Sequence, residues 1–395
     1  MKKILGLIIS DNNNGAFKSK SMKESHNVLG KSVQQWSGSG LTGIAGDIQF
    51  ITFKDMDKCK QLISTSKQVI INWADQPLIL AETFQNLLNT HCREGNKATA
   101  IFADNILNCI SEAAVYVFES NELLNKINEL DVLTLSRDVL KQIFLSLNNT
   151  SKILTEDDNQ FPVVTDRAVL AEVTSQIKAR ILREIMLSGV TIVDPLSTYI
   201  DVNVDIGEDT TILPNTVLEG NTAIGEDCII GPNSRITDCK IGDNVEVANS
   251  VAVDSSIGDE THVGPFAYLR PGSMVGSKVK IGDFVEIKKS VIGDRTKISH
   301  LTYVGDAEVG TNVNIGCGVV FVNYNGKQKN KTIVGDNSFI GCNTNLVSPV
   351  VVHKDAYIAA GSTITEEVPE NSLAIARERQ VNKEDWVIKK DMKRK

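Results

Sequence analysis

The chain has 395 residues, with 41 basic and 49 acidic side chains and a net charge of −8. That length exceeds one ordinary core and calls for two or three domains, and 42% apolar with 23% charged residues suits a globular chain, not a disordered one. The acidic balance and an aromatic content of only 5% disfavour nucleic acid as a partner, and no apolar run reaches the ~20 residues that a membrane helix needs.

The opening MKKILGLIIS carries two lysines and a short apolar run, as a signal peptide does. SDNNNG follows in place of a small-residue cleavage site, so residues 4–9 read as a first buried strand. Residues 69–73 read as a second strand, 81–91 as a helix, and 98–102 and 114–118 as further strands. Strands alternating with helices predict an α/β sheet domain over residues 1–165. A helix follows over 166–189, capped by Thr165 or Asp166 and ended by Gly189. Its stripe of Val169, Val173, Ile177, Ile181 and Ile185 at a spacing of four predicts a rigid linking arm. The seven cysteines are odd in number and never spaced CxxC, which fits a reducing cytoplasm better than a disulfide framework or a zinc ribbon.

From about residue 200 the grammar changes. Ile-Gly or Val-Gly recurs from Ile206 to Ile340, mostly at gaps of 6, 12 or 18 residues or one short of these. A hexad matches neither a strand alternation nor a helical period. It fits a triangular prism with three hexads per coil, the aliphatic residue pointing inward and the glycine at a corner, where its missing Cβ relieves crowding. Each coil buries its aliphatics only by stacking on the next, so many coils are required. The prism is expected over 190–368, with an extension and a basic tail over 369–395. Hexads encode packing and not chemistry, so an inert scaffold would show the same period.

The stretch PFAYLRPGSMVGSKVKIGDFVEIKKSVIGDRTKISHLTYVGDAEVGTNVNIGCG holds more than repeat residues. With FVNYNGKQKNKTIVGD, FIGCNTNLVSPV, AYIAAGSTIT and LAIARERQVNKEDW it closely resembles the bacterial bifunctional enzymes that make UDP-N-acetylglucosamine. The resemblance implies an all-β left-handed parallel β-helix of hexapeptide repeats acting as a glucosamine-1-phosphate N-acetyltransferase. It implies a nucleotidyltransferase-like α/β sheet in front, acetyl-CoA as co-substrate, a cytoplasmic homotrimer with shared active sites, and a place in peptidoglycan precursor synthesis.

Acetyl transfer to an amine needs a base of pKa near 7, and His300 in SHLTY is the one histidine of this polar segment. It matches the family's general base, although a lone histidine is more often structural. Arg270 and Lys288 match a phosphate clamp, to which Lys329 adds a cation from a neighbouring subunit; without the motif all three would read as solvated surface. Glu286 is expected to hold Lys288. Tyr303 and Asn314 match residues that bind the sugar, though an asparagine within a prism also suits a structural ladder. Asn323 and Tyr324 match residues that place the histidine and the acetyl group. Cys317, Cys342, Ala360 and Arg377 fall on positions lining the CoA path, where the family usually has Ala and Ser for the first two. The family's NYDG is NYNG here, with Asn325 in place of Asp, and its TITC is VVFV at 319–322.

In the first half the resemblance decays. The family's phosphate loop LAAGxGTRMxSxxPK aligns without a gap to ISDNNNGAFKSKSMK. Asn12 and Asn14 replace its glycines, Gly15 and Ala16 replace Thr and the catalytic Arg, and Lys23 alone survives. Asp75 in ADQPL matches the family's Mg²⁺ ligand, whereas the second ligand, an Asn, is Thr165 here. Only 44 residues lie between Gly30 and Asp75, so the sheet domain is expected to be shortened and to have lost uridylyl transfer, with Asp75 a vestigial metal ligand and no dependable metal site. Two competing readings are a nucleotidyltransferase whose prism only assembles subunits, and a non-catalytic sugar-nucleotide-binding scaffold. The ruined loop argues against the first and the retained Arg, Lys, His, Tyr and Asn set against the second.

Overall fold

The computed structural model describes residues 3–11, 13–103, 113–155 and 158–392; Asn12, Cys109 and the last three residues of the basic tail lie outside them. The chain divides into two compact units, Met1–Ile181 and Leu182–Lys395.

The first unit is a six-stranded sheet with helices. Its strands are β1 (Ile4–Ser10), β2 (Asp47–Thr52), β3 (Gln68–Trp73), β4 (Ala98–Ala103), β5 (Ala113–Glu119) and β6 (Thr150–Thr155), in the spatial order β2-β1-β3-β5-β4-β6. β5 runs antiparallel to both neighbours and the other pairings are parallel. Helices α1 (Val33–Ser39), α2 (Met56–Ser64), α3 (Ala81–Glu94), α4 (Ser120–Glu129) and α5 (Arg137–Ser146) connect them. β3 and β5 are buried nearly throughout, as central strands between helical layers must be, which is why both read as continuous apolar runs. β2 and β6 are edges with mixed burial, and their weaker pattern went unread.

Helix α6 (Arg167–Leu187) begins where the capping signals put it: Asp166 Oδ1 accepts from the amides of Ala168 at 2.8 Å and Val169 at 3.0 Å. Gly189 follows its end at φ +100°. The boundary between the two units, at Ile181 and Leu182, falls inside this helix. Val173 and Ile177 are buried within the first unit, while Leu182 joins the core of the second.

The second unit is a parallel β-helix. Its short strands form three sheets of 10, 9 and 11 members, and every pairing joins one coil to the next in register. One continuous core runs inside it, from Val190 and Ile192 to Ile364 and Val368, built from the inward aliphatic of each hexad. The last coil closes with Leu373–Ala374 paired to Tyr357–Ile358, so the prism continues past residue 368, where the sequence reading ended it.

The glycines after the aliphatics stand where a Cβ would be crowded, as the hexad reading expects. A Cβ on Gly293 would stand 2.6 Å from the carbonyl carbon of Gly310 on the next coil, and one on Gly207 would meet Gly225 equally closely. Close approach of coils therefore excludes a side chain there. The left-handed turn itself falls two residues later, at Asp209, Asp227, Asn244 or Arg295.

Candidate active site

One edge of the prism gathers His300 and the four residues expected to line the CoA path. His300 ends the strand Lys297–His300 and turns the corner toward Tyr303–Gly305. Cys317, Cys342 and Ala360 occupy that same corner on successive coils. Backbone bonds connect them: Gly318 N–H to His300 O at 3.4 Å, Asn343 N–H to Cys317 O at 2.8 Å, and Gly361 N–H to Cys342 O at 2.8 Å. Arg377 closes the series, its Cδ 3.6 Å from where a Cβ on Gly361 would lie. Four steps of ~4.8 Å between coils make this edge about 19 Å long. Cys342 and Arg377 are exposed and Cys317 half-buried.

On the face beside His300 lies a charged cluster. Arg270 Nη1 donates to Glu286 Oε1 at 2.8 Å. Lys288, mostly buried, stands 3.5 Å from Asp306 Oδ2. Glu286 therefore partners Arg270 and not Lys288, contrary to the sequence reading; adjacent coils put Glu286 level with Tyr268, close to the arginine. Asn323 Nδ2 donates to Asp306 Oδ2 at 2.6 Å and to Tyr303 Oη at 3.2 Å. Gly305, paired with Lys288 across coils, makes this possible: a Cβ there would meet Tyr303 Oη at 2.3 Å and Asn323 Nδ2 at 2.6 Å. Asp306 and Gly305 were missed in the sequence because GD resembles any repeat corner.

The loop after Asn323 folds back on itself, with Tyr324 bridged to Lys329 and Asn330 N–H donating to Asn323 O at 2.8 Å. Asn325 Oδ1 accepts from the amides of Lys327 and Gln328, work that an aspartate would do equally well. The fold-back brings Lys329 to Lys288 within one protomer, where the sequence expectation had a neighbouring subunit supply it. Contact with Lys329, and Asp306 facing it, raise the pKa of Lys288, and the same contact lowers that of Lys329. Tyr324 is exposed and turns its hydroxyl to Gly326 O at 2.8 Å, away from His300.

Asn314 sits apart from the charged cluster. It lies on the neighbouring sheet between Lys297 and Phe339, half-buried, while its neighbour Ile315 points inward. An interior asparagine ladder is thereby excluded. His262 pairs with Glu246 and His353 with Glu367. No group of three or more potential metal ligands occurs among the described residues.

In the sheet domain the loop after β1 is closed by its own side chain. Asn14 Nδ2 donates to Ser19 O and Ser21 O, and its Oδ1 accepts from Lys23 N–H at 2.8 Å. Asp75 is buried and both its oxygens are engaged: Lys23 Nζ at 2.9 Å on one, Arg137 Nη2 at 2.7 Å on the other. The Arg137 guanidinium also lies 4.3 Å over the Trp73 ring. Thr165 bonds its neighbour Asp166 at 3.3 Å. No helix among the described residues is long and apolar enough to cross a membrane.

The coils and the repeat define a left-handed β-helix of the hexapeptide-repeat class: the family model "Bacterial transferase hexapeptide (six repeats)" matches residues 203–238 and 331–366. Bifunctional protein GlmU of Acetivibrio thermocellus is 44% identical over 460 aligned positions, covering 100% of this chain and 99% of that protein. Bifunctional protein GlmU of Clostridium perfringens (strain SM101 / Type A) is 49% identical over 364, covering 82% and 79%. Among solved structures, UDP-N-acetylglucosamine acyltransferase from Campylobacter jejuni is 18% identical over 48% of this chain and 70% of that one, with a TM-score of 0.34. The chain belongs to the GlmU family.

Proposed function

We propose that the prism transfers acetyl from acetyl-CoA to the amine of glucosamine-1-phosphate, giving N-acetylglucosamine-1-phosphate in the cytoplasm for UDP-N-acetylglucosamine. The observation that supports this best is the shared edge: His300 stands at one end of a lane through Cys317, Cys342, Ala360 and Arg377, and beside a cationic cluster on the next face. A thioester carried along the lane meets a sugar amine held by its phosphate. The neutral sugar amine attacks the thioester carbonyl while His300 takes a proton from its nitrogen; the C–S bond then breaks, and CoA leaves as its thiol with the proton that His300 returns. Arg270, Lys288 and Lys329 hold the phosphate, an anion between two close lysines relieving their repulsion. Tyr303 and Asn323 fix one side of the sugar. Asn314 and Tyr324, which stand apart here, complete the site in a trimer whose subunits share it. The test is thiol release from acetyl-CoA in the presence of glucosamine-1-phosphate, glucosamine and other amino sugar phosphates. Release with the 1-phosphate well above the rest is expected; equal release with unphosphorylated glucosamine would overturn the phosphate clamp, and none with any acceptor the activity.

For the sheet domain we propose that uridylyl transfer is lost. The chain spreads 395 residues over its 460-position alignment with a relative. Its loop carries Asn14 where a phosphate would need room, and a transferring phosphoryl has no Arg at position 16. Asp75, neutralised by Lys23 and Arg137, does not fit a divalent cation, which needs free carboxylate oxygens. An assay with UTP, Mg²⁺ and N-acetylglucosamine-1-phosphate should show no turnover above background; pyrophosphate release at ordinary enzyme rates would refute the loss.

A further inference from the structure

The edge that carries His300 also carries a carboxylate that no motif singled out. Asp283 ends the strand Lys280–Asp283 one coil below and is in register with His300. Its Oδ1 lies 2.5 Å from His300 Nδ1, and Leu301 N–H donates to Asp283 O at 2.9 Å, so the backbone pins the two corners together. We infer that Asp283 is the positioning residue for His300: it accepts the Nδ1 proton, fixes the ring's orientation and leaves the Nε2 lone pair as the group that faces the substrate amine.

This rests on His300 being the base, and it deepens that reading by assigning which nitrogen works. A neutral imidazole carries one proton on either of two nitrogens, and only the unprotonated one accepts. On an edge where His300 is more than half exposed, nothing among its other described contacts chooses between them. The carboxylate does, because it can only accept. Asp283 stays ionised for this: the hydrogen bond from His300, with the positive field of Lys280 besides, holds its carboxyl below the ordinary aspartate range. Stacking supplies rigidity, since the two residues cannot separate without breaking the pairing of adjacent coils. As the amine proton arrives at Nε2, the resulting imidazolium lies against the carboxylate and is stabilised there.

The experiment uses the full-length protein and compares wild type with Asp283→Asn, Asp283→Ala and His300→Ala in thiol release from acetyl-CoA, together with ¹⁵N spectra of histidine-labelled protein. Both Asp283 variants should lose about 10- to 100-fold in kcat, with KM for the sugar phosphate within about twofold of wild type. The His300 signal, identified by its absence in His300→Ala, should change from the Nδ1–H tautomer toward a mixture with Nε2–H. If His300→Ala remains active, the assignment of the base fails first. If His300→Ala is inactive but either Asp283 variant keeps wild-type kcat, or the tautomer is unchanged, the positioning role is overturned. A parallel rise in KM at constant kcat would also overturn it, marking a structural contribution to the binding face.

Discussion

At the scale of single residues, chemistry on this prism depends on what stands one coil away. Tyr303 and Asn323 bond each other because Gly305 leaves the space between them empty. Gly305→Ala should push both groups out of place and lower kcat/KM for the sugar phosphate by about 10- to 100-fold, with thermal stability changed far less; steady-state kinetics beside a melting curve checks it. His300, Arg270, Lys288 and Tyr303 became candidates in the sequence through the family resemblance, since each alone reads as an ordinary surface or structural residue. Asp283 and Asp306 did not, because aspartate is ordinary at these corners, as Asp209 and Asp227 show, and only the vertical register tells a partner from a turn residue. Glu286 was assigned to Lys288, two residues on along the same strand, whereas its partner Arg270 reaches it from the coil below.

At the scale of elements, coil and sheet obey different rules. The prism was legible through its hexads, which state directly which residue points inward, and through the corner glycines, whose missing Cβ relieves crowding. Their task is to let coils approach. Gly293→Ala should destabilise the β-helix by about 1–3 kcal/mol, read as a fall in its urea midpoint. Substitution to alanine of Arg295, which takes the left-handed turn two residues on, should change that midpoint less. In the sheet unit, β3 and β5 were found because both faces are buried, while β2, β6 and helices α1, α2, α4 and α5 had patterns too mixed or too short to read. The buried trio Lys23–Asp75–Arg137 holds β3 to the loop after β1 and to α5. Asp75→Asn leaves the buried Lys23 with only the more distant Asp11, 4.0 Å away, as counter-charge and should destabilise this unit by about 3–5 kcal/mol, measured by thermal unfolding with and without Mg²⁺. Stabilisation of the wild-type unit by millimolar Mg²⁺ alone would contradict an internal ion pair at that place.

At the scale of the molecule, the two units arrange their polar groups differently. On the β-helix, His300, Cys317, Cys342 and Ala360 line one edge, while Arg270, Lys288 and Asp306 gather on its flank. In the sheet unit, Asn14 bonds across the loop after β1, and Asp75 is engaged by Lys23 and Arg137. The change of architecture was visible in the sequence as a passage from mixed strand and helix patterns to hexads. The place of the unit boundary, inside α6, was not, since a helix stripe at spacing four looks the same whichever core it faces. The whole account turns on His300 as the group that removes the amine proton. Thiol release from acetyl-CoA with saturating glucosamine-1-phosphate, compared between wild type and His300→Ala at pH 7.5, tests it most directly. A fall of about 10²- to 10⁴-fold in kcat, with acetyl-CoA still bound, is the predicted result; a variant that acetylates the sugar at the wild-type rate would contradict it.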